Sequence, residues 1–379
     1  MELESTTLIK LKNCKQIKIN EFSYEKDIKQ LINFLNSLLG VINVFIIITI
    51  FIIFLINRIR GFLFSFNFNF FLKNNAKNLG YYQDIQHHFC DNIGKVYNKE
   101  LEDNIILYNV NLNDTNFDMF IHNEHDYYSY QIKLNQSFDK EGTMHMLDAL
   151  QFYADKNDYL NDDIVIIDIG ANVGWYSTFF GSFKYTVLSF EPLPENNYVL
   201  KKNFCRNNKD FFGPASTITI INEALYPIET FCDYYKDLKN SKKNLILCDE
   251  SKEKNLDQEY IKIDRIKTTK LSNFIPLIND KRITLLRFDL EYEGEKAIES
   301  GKELITKYHI PYILIEFNML MFALHETRPQ DFLLFFTQNG YKISLNGFLT
   351  DKFISIEDIM RTNFITINLY LVYYGYSIY

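Results

Sequence analysis

Val165-Ile166-Ile167-Asp168-Ile169-Gly170-Ala171-Asn172-Val173-Gly174-Trp175-Tyr176-Ser177 is the stretch that decides how this chain folds. Residues 164–167 are wholly apolar and read as a short buried strand, and 173–183 can follow as a helix. Between them lies a G-x-x-x-G turn with an acid two residues ahead. Gly170 and Gly174 let the backbone approach a ligand closely. In an open α/β sheet, ligands bind beyond the carboxyl ends of the strands, where the strand order reverses. A dinucleotide fingerprint would space its glycines as G-x-G-x-x-G. Asp168 ahead of the glycines suits a cationic amino-acid ligand better than a pyrophosphate, which it would repel.

Working outward, strands and helices alternate. Further strands are expected at 185–190, 217–221, 283–288, 312–315, 341–345 and 365–373, with an extra strand near Ile261. Helices are expected at 195–207, 296–307 and 330–339. Continuous apolar strands separated by helices imply a mainly parallel sheet covered on both faces. Upstream, 105–108 and 128–132 read as β-rich runs, and 141–154 as a helix. At the end of the second strand stands Glu191, about 20 residues after the glycine turn, where an acid can accept both hydroxyls of a ribose.

With 379 residues, 47% of them hydrophobic and 23% charged, the chain can bury a large catalytic domain and is not disordered. A net charge of -8, with scattered lysines, argues against a nucleic-acid partner. The five cysteines are Cys14, Cys90, Cys205, Cys232 and Cys248, and none forms a C-x-x-C pair, so no metal site is expected. Cys205, Cys232 and Cys248 are close enough for one disulfide, although buried free thiols are the leading expectation.

Residues 31–57 contain no charge, and 38–56 are nearly all Leu, Ile, Val and Phe. A bilayer core takes roughly 20 apolar residues in a helix. We therefore expect a polar tail at 1–34, a single-pass transmembrane helix at 35–57, a stem at 58–99, a β-rich and helical extension at 100–160 and the catalytic domain at 161–379. Basic residues flank the span almost equally, so the positive-inside rule does not orient it. The sequons at Asn113 and Asn135 favour a lumenal catalytic domain.

D-I-G-A-N-V-G-W-Y-S from Asp168, S-F-E-P-L-P-E-N from Ser189, L-L-R-F-D-L-E from Leu285 and Y-I-L-I-E-F from Tyr312 together resemble the FkbM-type methyltransferases. The resemblance spans roughly residues 140–375 and takes in His325-Glu326-Thr327-Arg328-Pro329 and the N-G-Y-K-I-S run from Asn339. It implies a seven-stranded class I methyltransferase fold of Rossmann-like type, with S-adenosylmethionine as methyl donor. By the same resemblance, Asp168, Gly170, Asn172 and Gly174 hold the donor's methionine part and Glu191 its ribose. Acceptors in the family are hydroxyl compounds, often sugars or polyketides, so a small-molecule or glycan acceptor is expected.

Methyl transfer chiefly requires alignment of acceptor and methyl, and a hydroxyl acceptor must also lose its proton. Asp289 and Glu291 after the fourth strand, Glu316 after the fifth and His325 are the candidate bases. Tyr292 stands where the family has Gly, and Gly294 where it has Glu. That departure motivates a rival reading, a donor-binding scaffold without catalysis. A nicotinamide-dependent oxidoreductase is a third, disfavoured by the glycine spacing.

Overall fold

The computed structural model describes residues 29–30, 33, 82–83, 85–92, 102–123, 127–207, 218–237, 245–248, 260–278, 281–289, 294–319, 322 and 327–376. The chain divides into two compact units, 1–70 and 71–379, and the strands and helices named below belong to the second. Among the described residues no helix is long and apolar enough to cross a membrane, and the expected span at 35–57 lies outside them.

The strands are β1 (Ile105–Leu112), β2 (Thr115–His122), β3 (Ile164–Ile169), β4 (Thr186–Phe190), β5 (Ile218–Ile221), β6 (Ala224–Leu225), β7 (Phe231–Asp237), β8 (Leu245–Leu247), β9 (Tyr260–Thr269), β10 (Arg282–Asp289), β11 (Tyr312–Asn318), β12 (Tyr341–Ser344) and β13 (Thr366–Tyr373). The helices are α1 (Tyr127–Asn135), α2 (Lys140–Asn157), α3 (Trp175–Ser182), α4 (Pro194–Asn207), α5 (Gly294–Tyr308), α6 (Pro329–Gln338) and α7 (Ile356–Arg361).

Seven strands form the central sheet in the order β12-β13-β11-β10-β3-β4-β5. β3, β4, β5, β10 and β11 run parallel, and β13 is antiparallel to both β11 and β12. The expected sheet is therefore present, with its one reversed strand near an edge. Every residue of β3 is buried. Ile164 and Ile166 enter one core with Leu147, Leu150, Phe179 and Val199, whereas Val165 and Ile167 enter a second with Ile298, Leu304, Leu333 and Phe336. Both faces are thus covered by helices, which is why an uninterrupted apolar run can be a strand here.

The β1–β2 hairpin, α1 and α2 share the first core with the sheet. Residues 128–132 are helical, contrary to the strand expected from their aromatic and β-branched residues. Tyr128, Ser129 and Ile132 are buried together on one side of that helix. Tertiary burial has overridden local propensity. The insertion after β5 carries a separate four-stranded sheet, β6-β9-β7-β8.

The cysteine expectation is corrected as well. Cys90 is bonded to Cys205 and Cys232 to Cys248, so none of these four is a free thiol. The second bridge staples β7 to the residue after β8. The first fastens helical residues 85–92 to α4. From that helix the Gln86 amide donates to Ile218 O and accepts from Ile220 N, both at 3.1 Å. Its side chain occupies the backbone groups that a further strand would take from β5, and so closes that edge of the sheet.

Candidate functional site

β3 and β10 are neighbours, while the chain runs from β3 to β4 and β5 on the other side. Their carboxyl ends therefore mark the point where strand order reverses, the expected place for a ligand. The turn leaving β3 there has positive φ at alternate residues: Gly170 at 78°, Asn172 at 52° and Gly174 at 90°. A Cβ on Gly170 would lie 3.0 Å from Cβ of Asp289, and one on Gly174 only 2.2 Å from Cδ1 of Leu200. The glycines are thus required both by backbone angle and by close packing. Gly170 N and Ala171 N both donate to Phe190 O at 3.0 Å, which ties the turn to the end of β4.

Glu191 follows directly. Its Oε2 accepts from Asn172 N at 2.7 Å and its Oε1 from Leu193 N at 2.9 Å. Burial pushes its carboxyl up to about 7, against the lowering effect of those two backbone hydrogen bonds. Gly170, Asn172, Glu191 and Asp289 line one cavity, with Pro192, Leu193 and Ile246 supplying apolar wall. Glycines, a two-oxygen acceptor and an apolar slot fit the parts of S-adenosylmethionine. Ile246 comes from β8, so the insertion sheet helps to build the cavity.

Asp168 does not line that cavity. It is fully buried beneath the turn, where Oδ2 accepts from Ser177 Oγ at 2.7 Å and Oδ1 from Arg287 Nη1 at 3.0 Å. Gly174 likewise stands back from the cavity, at the N-cap of α3. Arg287 is the functional residue that sequence reasoning missed. Its Nη1 also donates to Gly170 O at 2.9 Å, and its Nη2 to Asp289 Oδ2 at 2.7 Å. It is only 4% exposed, and it lies 4.3 Å from the Tyr176 ring centroid. One guanidinium thus holds together Asp168, the glycine turn and Asp289. The signal was available, because a lone charge within the apolar run 283–288 needs a buried partner.

Asp289, at the end of β10, also accepts a hydrogen bond on Oδ2 from the Tyr128 hydroxyl. Its Oδ1 is buried and has no partner. An unsatisfied buried carboxylate oxygen is costly unless a ligand completes it. Glu316 lies beside Asp289 in register on β11. Glu291 and His325, the other candidate bases, lie outside the described residues, as does Tyr292. Among the described residues no cluster of His, Cys, Asp and Glu could hold a metal ion.

Residues 168–343 match the family model described as the methyltransferase FkbM domain. No curated protein matches the chain. Among solved structures, a methyltransferase FkbM from Methylobacillus flagellatus KT is similar at 18% identity and a TM-score of 0.34, over 55% of this chain and 43% of that one. The bifunctional kinase-methyltransferase WbdD is similar at 12% identity and a TM-score of 0.34, over 61% of this chain and 39% of its own. The magnesium protoporphyrin IX methyltransferase of Synechocystis PCC 6803, solved with bound SAM, is similar at 10% identity and a TM-score of 0.32, over 66% and 86%. The chain therefore spans less than half the length of the first two.

Proposed function

From a chain whose residues 168–343 match the FkbM methyltransferase domain, we propose an S-adenosylmethionine-dependent methyltransferase that acts on a hydroxyl of a sugar-like acceptor. The observation that carries this reading is the cradle at the β3–β10 switch point. There the turn of Gly170 and Asn172 is locked to the Glu191 carboxylate, and Asp289, whose buried Oδ1 has no partner, is among the residues that line the same cavity.

In this reading Glu191 accepts the ribose hydroxyls, and the turn carries the methionine end. Asp168 acts through Arg287, as a positioning residue. When bound, S-adenosylmethionine would supply a methyl already activated on a sulfonium, with the S–C electron pair left on sulfur. The acceptor oxygen forms the new bond to carbon, and Asp289 Oδ1 takes the hydroxyl proton. No activation of the donor is needed, so alignment and proton removal are the work left to the protein.

The test is turnover with a tritiated methyl donor and a glycan panel. Asp289→Asn keeps the shape and removes the base. It is expected to lower kcat by 10²–10⁴-fold, the usual worth of general base catalysis, while donor affinity stays within a few-fold. Equal turnover by this variant would remove Asp289 from the role. Donor binding with no turnover on any acceptor would favour the scaffold reading.

We further propose that residues 35–57 anchor the chain in a membrane with the catalytic unit on the oxidising side. The charge-free run supports the anchor, and two disulfides support the compartment. Asn113 of an N-x-T sequon is exposed in the β1–β2 turn. Full-length protein made in a eukaryotic secretory system should lose mass with an endoglycosidase, and Asn113→Gln should shorten that shift. Unglycosylated protein with reduced cysteines would place the unit in the cytosol instead.

A further inference from the structure

Ile246 enters the wall of the donor cavity from a strand with little to hold it. β8 has three residues and, among the described residues, pairs with β7 alone. Leu245 stands opposite Tyr235, Ile246 opposite Tyr234 and Leu247 opposite Asp233. An edge strand this short gains too few ladder hydrogen bonds to fix Ile246 by themselves. The place of β8 along the cavity follows from the sheet order. β3, β4 and β5 are successive neighbours. The glycine turn follows β3 and Glu191 follows β4, so the donor's methionine and ribose belong at those two strand ends. The base then falls to the next strand end, where Glu223, Ala224 and Leu225 line the cavity after β5.

β7 packs on the same side. Tyr234 is buried, and burial above all, then the charges of Glu195 and Glu191, pushes its hydroxyl up from the ordinary tyrosine value. Lys236 Nζ, two residues on, lies 3.9 Å from Glu195 Oε1. The pair β7–β8 thus lies against the ribose and base end. What secures β8 there is covalent. One step beyond the Asp233–Leu247 pair the register sets Cys232 opposite Cys248, and the two are bonded. Side chains two apart on a strand share a face, so the bond lies on the face of β8 that carries Ile246. Cys232 is buried and Cys248 half-buried, which leaves Cys248 Sγ as the sulfur that a thiolate can approach.

We propose that β8 is a strap across the nucleoside end of the donor cavity and that the Cys232–Cys248 disulfide is its clasp, so that donor affinity depends on the thiol–disulfide state of this pair. The proposal rests on the donor reading of that cavity. The co-reactant that opens the clasp is a dithiol. One of its thiolates attacks Cys248 Sγ; the S–S bond breaks, and its electron pair leaves on Cys232 Sγ, which takes up a proton. The second thiolate attacks the reductant's own sulfur in the mixed disulfide, Cys248 Sγ leaves with the electron pair and is protonated, and the dithiol ends as a cyclic disulfide. Two electrons and two protons pass from the dithiol to the bridge. With the clasp open, β8 keeps only its ladder, and Ile246 no longer completes the wall. The donor site is then complete only where the pair is oxidised.

The experiment is calorimetric titration of the full-length protein in detergent with S-adenosylhomocysteine, before and after treatment with dithiothreitol. Reduction should weaken binding by the wild type at least tenfold. The double variant Cys232→Ser/Cys248→Ser, which keeps the Cys90–Cys205 bridge, should bind as weakly as the reduced wild type and lose nothing further to dithiothreitol. Ile246→Ala keeps both bridges and should weaken binding by the oxidised protein about tenfold. Added to the cysteine double variant it should cost less than a further twofold, because both changes remove the same contact. Methylthioadenosine, which lacks the amino-acid end, should show the same losses. Wild-type affinity that survives reduction, or Ile246→Ala that binds as tightly as wild type, would overturn the proposal. So would full additivity of the two changes, or losses confined to S-adenosylhomocysteine. A further loss when the double variant is reduced would assign the sensitivity to Cys90–Cys205 and overturn it as well. Failure of the oxidised wild type to take up S-adenosylhomocysteine at all would instead sink the donor reading beneath it.

Discussion

Arg287 joins the turn to the rim of the sheet. Removing it leaves Asp168 and Asp289 buried without their shared partner, and breaking a buried ion pair in this way typically costs about 3–5 kcal/mol. Arg287→Met should accordingly lower stability by that order in urea unfolding; a change below about 1 kcal/mol would show that the two acids are not held as described. Glu191 gives a pH signature of its own. Its carboxyl rises from 4.5 to about 7 in the folded protein, chiefly through burial. Between those values the folded state holds the proton and the unfolded state does not. This group's contribution to stability is therefore present below pH 4.5 and is lost as pH rises towards 7, by about 3 kcal/mol in all. Donor affinity should run the other way, rising up to about pH 7 as the ribose-accepting carboxylate forms. Glu191→Gln should flatten both profiles, and a wild-type profile already flat from pH 5 to 8 would contradict the assignment. Gly170, Asn172 and Glu191 were legible in the sequence because their spacing reports backbone requirements. For Arg287 the sequence offered only a lone charge in an apolar run; its partner was not legible, because Asp168 lies 119 residues away and only register brings them together.

The same distinction holds for the elements. The strands of the central sheet were readable because a strand covered on both faces must be apolar throughout. α1 was misread because Tyr128, Tyr130 and Ile132, alternating with Ser129 and Gln131, fit a strand equally well until the packing of Tyr128 and Ile132 is known. The Cys90–Cys205 bridge was invisible for a related reason: the two residues are separated by 115 positions and meet only after helix 85–92 docks on α4, whereas Cys232–Cys248 is one of the pairings that sequence proximity allowed. That bridge closes a long loop, so Cys90→Ser should cost about 2–4 kcal/mol. The loss would appear as a lower urea midpoint, and an unchanged midpoint would mean that Gln86 alone secures the sheet edge. At the other end of the turn, Gly174→Ala would place a methyl against Leu200 at a φ of 90°. A loss of about 1–3 kcal/mol is expected from the backbone alone, visible as a lower Tm.

At the scale of the molecule, a strand order that reverses between β3 and β10 sets two cavities side by side, separated by Tyr128 and Asp289. One is lined by Gly170, Asn172 and Glu191, and the other has aromatic and acidic walls that include Phe138, Tyr176, Asp139 and Glu316. The whole design depends on the first cavity being the donor site. The measurement that tests this most directly is calorimetric titration of the full-length protein with S-adenosylhomocysteine, beside the Glu191→Ala variant. Micromolar binding by the wild type that is lost in the variant is the predicted result. Absence of binding by folded wild-type protein, or equal binding by Glu191→Ala, would contradict it.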